Sequence, residues 1–190
     1  MTTALIRPRL AVMIASTRTG RFGPTVGHWF ADTARKDGTF DVEVLDLADI
    51  PLSLSLDATP AMRHFGERID MSDAFVIVTP EYNHSYPGPL KVALDSVRTP
   101  WQAKPVAFVS YGGLSGGLRA VEALRQVVAE LHMVGIRATV SFHGAHRLFD
   151  TEGQLLAPDR PLEAATEMLA QLNWWARVLQ QGRAESPYPV

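Results

Sequence analysis

The sequence contains no cysteine, which excludes structural disulfides and cysteine-based catalysis. No stretch approaches the roughly 20 apolar residues that a bilayer-spanning helix needs, so no membrane span is expected. Charge of one sign is not in excess either. Lys and Arg total 18 against 20 Asp and Glu, for a net charge of −2. A chain balanced in this way presents no global basic field, and nucleic acid is not an expected partner, although a local anion site stays open. The opening MTTALIRPRL lacks a sustained apolar segment followed by a small-residue cleavage site. An export signal is therefore not expected, and a cytoplasmic location is.

What is present fits a single globular domain: 190 residues, 46% hydrophobic and 20% charged, enough to bury a substantial core. The expected domain spans residues 1–190, with a Pro-containing tail at 182–190 that reads as a frayed end or a partner-contact arm. Short apolar runs at 10–15, 40–47, 74–79, 104–110 and 137–142 read as strands. Between them lie helical patterns beginning near Pro24, over 62–71, from Pro89, over 118–132 and over 161–181. Residues 48–60 form a Leu-rich, Pro-interrupted excursion able to cover a pocket. Regular strand–helix alternation predicts an α/β doubly wound fold with a parallel sheet.

In such a sheet ligands gather at the carboxyl ends of the strands. The first such loop, STRTGRFG at 16–23, offers the hydroxyls of Ser16, Thr17 and Thr19 and the guanidinium groups of Arg18 and Arg21 in front of a helix start. That chemistry favours a phosphate, with an ordinary solvated loop as the alternative. It has neither the Gly-rich Lys-Ser/Thr pattern of an ATPase loop nor the three-glycine pattern of a dinucleotide fold. After the third strand come Pro80, Glu81, Tyr82 and Asn83. Tyr82 can cover an aromatic ligand and Asn83 can orient one; a simple turn is the alternative. After the fourth come Ser110, Tyr111, Gly112 and Gly113, the opposing wall of one cleft.

The run Gly113-Leu114-Ser115-Gly116-Gly117 also matches the G-x-S-x-G motif of serine hydrolases. The strand reads as ending before Tyr111, which leaves extra turn residues where a tight nucleophile elbow would begin. No Asp lies between Ser115 and the last histidine, His146, so the usual triad order cannot be completed. His143 and His146 are closely spaced, but no HExxH signature accompanies them; a polar loop or a substrate rim is expected there rather than a metal. Lys91 and Asp95 read as a surface ion pair. His84 extends the rim of the second loop, and Trp101 reads either as part of the pocket or as a structural plug.

Taken together, ASTRTGRFG, TPEYNHSYPGPLK and SYGGLSGGLRA, in that order, resemble the NADPH-dependent FMN reductase family, whose members are flavodoxin-like NAD(P)H-dependent quinone, azo or chromate reductases. The resemblance implies a flavodoxin-like three-layer fold with a five-stranded parallel sheet. It implies FMN as cofactor, NADPH or NADH as electron donor, and hydride transfer to FMN followed by reduction of a quinone-like or other small acceptor. Carried onto this chain, Ser16, Arg18 and Arg21 look like FMN-phosphate contacts. Pro80, Glu81, Tyr82 and Asn83 look like the flavin-ring loop, and Ser110, Gly112, Gly113 and Leu114 like the opposing wall. A homodimer or dimer of dimers is implied as well. The family's serine after the first arginine is not reproduced, Arg21 occupying that neighbourhood, and Val92 stands where many relatives have asparagine. A flavodoxin-like electron carrier without direct NAD(P)H reductase activity is the alternative, and a hydrolase using Ser115 is a further one.

Overall fold

The computed structural model describes residues 7–189. Strands β1 (Arg9–Ile14), β2 (Asp41–Asp46), β3 (Ala74–Pro80), β4 (Pro105–Gly112) and β5 (Val134–His143) alternate with helices α1 (Gly23–Asp37), α2 (Pro60–Met71), α3 (Gly88–Asp95), α4 (Leu118–Glu130) and α5 (Asp159–Glu185). All neighbouring strands pair in parallel, in the order β2-β1-β3-β4-β5. This is the flavodoxin-like doubly wound order, with its switch point between β1 and β3.

The strands are apolar on both faces because both faces are covered. Period-two alternation sends Leu10, Val12, Val76, Val78 and Val109 toward α1 and α5, and Ala11, Met13, Phe75, Ile77 and Phe108 toward α2, α3 and α4. Burial on both sides explains why β3 reads AFVIVTP without a polar alternation.

Several boundaries differ from the sequence expectation. β4 continues through Tyr111 to Gly112 because Ser110 and Tyr111 keep register with Thr79 and Pro80 on one side and with Ser141 and Phe142 on the other. Gly182 lies inside α5 rather than opening a frayed tail. Arg183 holds the last helical turn by donating to the Ala103 carbonyl at 2.6 Å and pairing with Asp73 at 3.3 Å. These contacts outweigh the cost of about 1 kcal/mol that a glycine imposes inside a helix. Beyond the helix, Tyr188 hydroxyl and His132 Nδ1 are 3.2 Å apart. The 48–60 excursion lines an open groove rather than covering a pocket: Ile50, Leu52 and Leu54 border a space of about 280 Å³ with Thr17, Pro89 and Val92.

At the amino-terminal edge of the sheet, opposite the ligand-facing end, Lys104 is buried. Its Nζ donates to the carbonyls of Ile69 (3.0 Å) and Asp70 (2.7 Å), the last acceptors of α2, where a cation also complements the helix dipole. Burial pushes the amine down to about 8. Between that value and the ordinary value of about 10.4 the unfolded chain holds a proton that the folded site releases, so this group makes stability rise with pH through that window. Tyr111, pushed up to about 12 by burial, acts in the opposite sense above about pH 10, where the unfolded phenol ionises first. Urea unfolding from about pH 8 to 10 is therefore expected to show a rising stability in the native chain that flattens in Lys104→Met. An equal slope in both proteins would disprove the assignment.

Candidate functional site

The carboxyl ends of the strands converge on a cleft of about 730 Å³, within the roughly 300–1,000 Å³ range of small-molecule sites. Arg18 and Phe22 line it from the first loop, residues 80–83 from the second and 111–113 from the third, with 144–147 closing the far side. A wider groove of about 940 Å³ runs between α1 and the start of α5. It lies along the helices, away from the convergent strand ends that favour ligand binding in this fold.

The first loop leaves β1 at Ile14. Ser16 is wholly buried, and its Oγ accepts from the Tyr111 hydroxyl at 3.2 Å. Helix α1 starts so close above it that a Cβ at residue 23 would stand 2.2 Å from that oxygen, which is why the position is glycine. The two arginines have different surroundings. Arg21 makes a two-pronged ion pair with Asp46 (2.6 and 2.8 Å) and donates to the Ser16 carbonyl at 2.8 Å, so it braces the loop onto the end of β2. Arg18 makes no ion pair among the described residues, lines the cleft and lies 5.2 Å from the Tyr82 ring centroid. The first turn of α1 carries no acidic residue, leaving its positive end uncompensated.

In the second loop Tyr82 and Ser85 exchange backbone hydrogen bonds of 2.8 and 3.1 Å. They enclose Asn83 and His84, both at positive φ (49° and 74°). A tight turn of this kind pushes Asn83 outward from the strand end, and Asn83 lines the cleft. In the third loop Gly112 and Gly113 line the opposite wall. Ser110 sits beneath that loop: its hydroxyl donates to the Gly116 carbonyl at 2.8 Å. Gly117, at φ 87°, passes so near the strand that a Cβ there would lie 2.7 Å from Ser110 Cβ. Leu114 is 92% exposed and outside the cleft; its carbonyl accepts from His143 Nδ1 at 3.1 Å.

Of the residues singled out in the sequence, Arg18, Pro80, Glu81, Tyr82, Asn83, Gly112 and Gly113 meet in one cleft. Ser16, Arg21 and Ser110 support its walls, and Leu114 faces away. Sequence reasoning missed Phe22, Gly144, Ala145 and Arg147, and named His146 only as part of a polar loop or substrate rim. Phe22 packs against His146 with 4.4 Å between ring centroids and the rings tilted by 54°, and Gly144 N–H donates to the carbonyls of Gly112 and Gly113 at 2.8 and 2.9 Å. Their signal was positional, since they follow the carboxyl end of β5 as the other loops follow theirs. Lys91 and Asp95 form the expected ion pair at 2.6 Å.

The hydrolase arrangement is not assembled. Ser115 donates to a Glu81 carboxylate oxygen, while the nitrogens of His143 face the Leu114 carbonyl and Ser141 Oγ (3.1 and 3.2 Å). Neither contact gives Ser115 the histidine base that such chemistry requires. The cleft instead suits a planar ligand with an anionic tail. Arg18 supplies a cation with no ion pair among the described residues, Tyr82 an aromatic ring 5.2 Å from it and Gly112 and Gly113 two peptides, and the acid among the lining residues, Glu81, is paired with Arg119.

Comparison with known proteins places the chain in a family. An NAD(P)H-dependent FMN reductase of Schizosaccharomyces pombe is 39% identical over 123 residues, covering 59% of this chain and 62% of that protein. A quinone reductase of Pseudomonas putida is 34% identical over 173 residues, covering 85% and 92%. The flavoenzyme NAD(P)H:acceptor oxidoreductase FerB of Paracoccus denitrificans superposes with a TM-score of 0.73 at 23% identity, over 90% of this chain and 98% of that one, a likeness of fold. With the sequence model for NADPH-dependent FMN reductases matching residues 8–147, three-quarters of the sequence and all the strand-end loops just described, the chain belongs to the NADPH-dependent FMN reductase family.

Proposed function

We propose that this FMN-dependent NAD(P)H oxidoreductase seats the cofactor phosphate against the 16–22 loop and the ring between Tyr82–Asn83 and Gly112–Gly113, and that its acceptor is a small quinone. The single observation that carries the placement is Arg18, unpaired among the described residues, lining the cleft and 5.2 Å from the Tyr82 ring. When bound, FMN supplies the redox chemistry, receiving electrons from the nicotinamide donor and yielding them to the acceptor.

The residues of the chain have narrower tasks. Arg18 and the start of α1 hold the phosphate. Arg21, Ser16 and Tyr111 keep that loop in shape from below. Tyr82 offers an aromatic face to one side of the site, and the glycine wall lets backbone approach from the other without a side chain in the way. No side-chain acid or base is required among them; Glu81 stays paired with Arg119, and protons come from solvent. A quinone acceptor is supported by the Pseudomonas putida relative, named a quinone reductase, of which the chain covers 92%. The reading extends to a cytoplasmic homodimer or dimer of dimers, for which the strongly exposed Leu54 and Leu114 (86% and 92%) offer apolar surface beside the site loops.

The test is the absorbance spectrum of gently purified protein with added FMN, followed by anaerobic titration with NADH and with NADPH. Retained FMN that bleaches with either donor and recovers its colour on adding a benzoquinone is the expected result. Failure of both donors, with fast electron exchange to a protein partner, would replace the enzyme by an electron carrier. Failure to bind FMN at all would remove the placement.

A further inference from the structure

Helix α4 begins at Leu118 after Gly117, which sits at φ 87° and provides no side-chain cap, and its first turn contains no acid. Such a helix start exposes backbone donors and a positive dipole end. Glu81, at the end of β3, supplies what α4 lacks. Its side chain is 7% exposed, and one oxygen pairs with Arg119 Nη2 at 2.7 Å. The other accepts from the Arg119 backbone N–H at 3.2 Å and from the Ser115 hydroxyl, while the Glu81 N–H donates to the Tyr111 carbonyl at 3.2 Å. One residue thus ties together β3, β4, the 113–117 loop and the first turn of α4. Burial raises the carboxyl's proton affinity, but Ser115 and Arg119 outweigh it and hold the group below its usual range, charged at neutral pH.

We propose that Glu81 is a positioning residue for the flavin ring, capping α4 from another strand and so fixing the Gly112–Gly113 wall relative to Tyr82 and Asn83. This rests on the FMN reading above. A glycine-rich wall has no side chains of its own to hold it; Gly144 N–H holds the Gly112 and Gly113 carbonyls, and the Glu81 carboxylate adds a charged anchor through Ser115 and Arg119. Loosening the anchor acts on the glycine wall and leaves the 16–22 loop, braced separately by Arg21 on Asp46 and the Ser16 carbonyl, as it was.

The test uses two flavins that differ at the tail, riboflavin without phosphate and FMN, titrated into the cofactor-free protein and followed by quenching of flavin fluorescence. In Glu81→Gln both dissociation constants are expected to rise by the same factor, about tenfold, the effect of one lost charge-assisted contact. Arg119→Met is expected to act alike, and the double substitution to add little to either single one. An unchanged riboflavin constant, or a loss confined to FMN, overturns the proposal. So does a lowered melting temperature with both flavin constants unchanged, which would leave Glu81 a purely structural tie. Should Glu81→Gln not fold, Arg119→Met decides the matter by the same readings. Native protein that binds neither flavin would defeat the FMN reading itself; native binding with an indifferent Glu81→Gln defeats only this inference.

Discussion

Arg18→Ala is expected to weaken FMN binding roughly 10- to 150-fold, the effect of losing about 1.5–3 kcal/mol in hydrogen bonds to a charged group. Its thermal midpoint should barely move, because the side chain makes no ion pair among the described residues. Arg21→Ala should behave in the reverse order. Its side chain and that of Asp46 are 18% and 14% exposed, locked at 2.6 Å, and their separation is expected to destabilise the fold by about 1–3 kcal/mol. Any effect on FMN then follows from a loosened loop. Flavin titration and thermal unfolding of the two single variants separate these roles. If Arg21→Ala loses FMN at an unchanged midpoint while Arg18→Ala binds normally, the assignment is inverted.

That division of labour between two arginines was beyond the reach of the sequence, for a definable reason. Both lie in one short loop, and local chemistry treats them alike. What separates them is Asp46, 25 positions further on, brought beside the loop by the parallel register that pairs Ile14 with Asp46 across β1 and β2. A register is set by the packing of whole strands, and no local motif reports it. The loops themselves were legible because strand ends in this topology face the ligand, and a run such as AFVIVTP ending in Pro-Glu-Tyr-Asn marks its own boundary.

The same distinction explains Phe22, His146 and Arg147. The site residues carried over from the resemblance ended at Leu114, and the closely spaced His143 and His146 were read together as a polar loop or substrate rim. In the fold His143 turns to the glycine loop, whereas His146 turns to Phe22, and only His146 lines the cleft. Similarly, the serine of the G-x-S-x-G match serves as a donor to Glu81. A motif defined by spacing along the chain was met here by a loop whose geometry is set by a different strand. The doubly wound parallel sheet, by contrast, was legible in the alternation of elements and its five strands were implied by the family likeness; the structure has both, in the order β2-β1-β3-β4-β5.

Trp101→Ala is expected to have the largest effect on stability, and it separates the two sequence readings of that residue. The indole is fully buried and meets Phe75 and Phe65 edge to face, with centroids at 5.0 and 6.3 Å. Its Nε1–H donates to the Leu94 carbonyl at 3.2 Å, joining the end of α3 to the short 3-10 turn before β4. Removing the ring leaves a cavity between α2 and β3, at an expected cost of about 3–5 kcal/mol. In a chain of this length that lowers the melting temperature by roughly 6–20 °C. Trp101→Phe retains most of the volume but leaves the Leu94 carbonyl without its donor, for a smaller loss of about 1–3 kcal/mol. Because this turn precedes β4 whereas the cleft lies beyond its carboxyl end, FMN affinity measured on the folded fraction should match the native value in both variants. A native melting temperature combined with lost FMN binding would return Trp101 to the pocket.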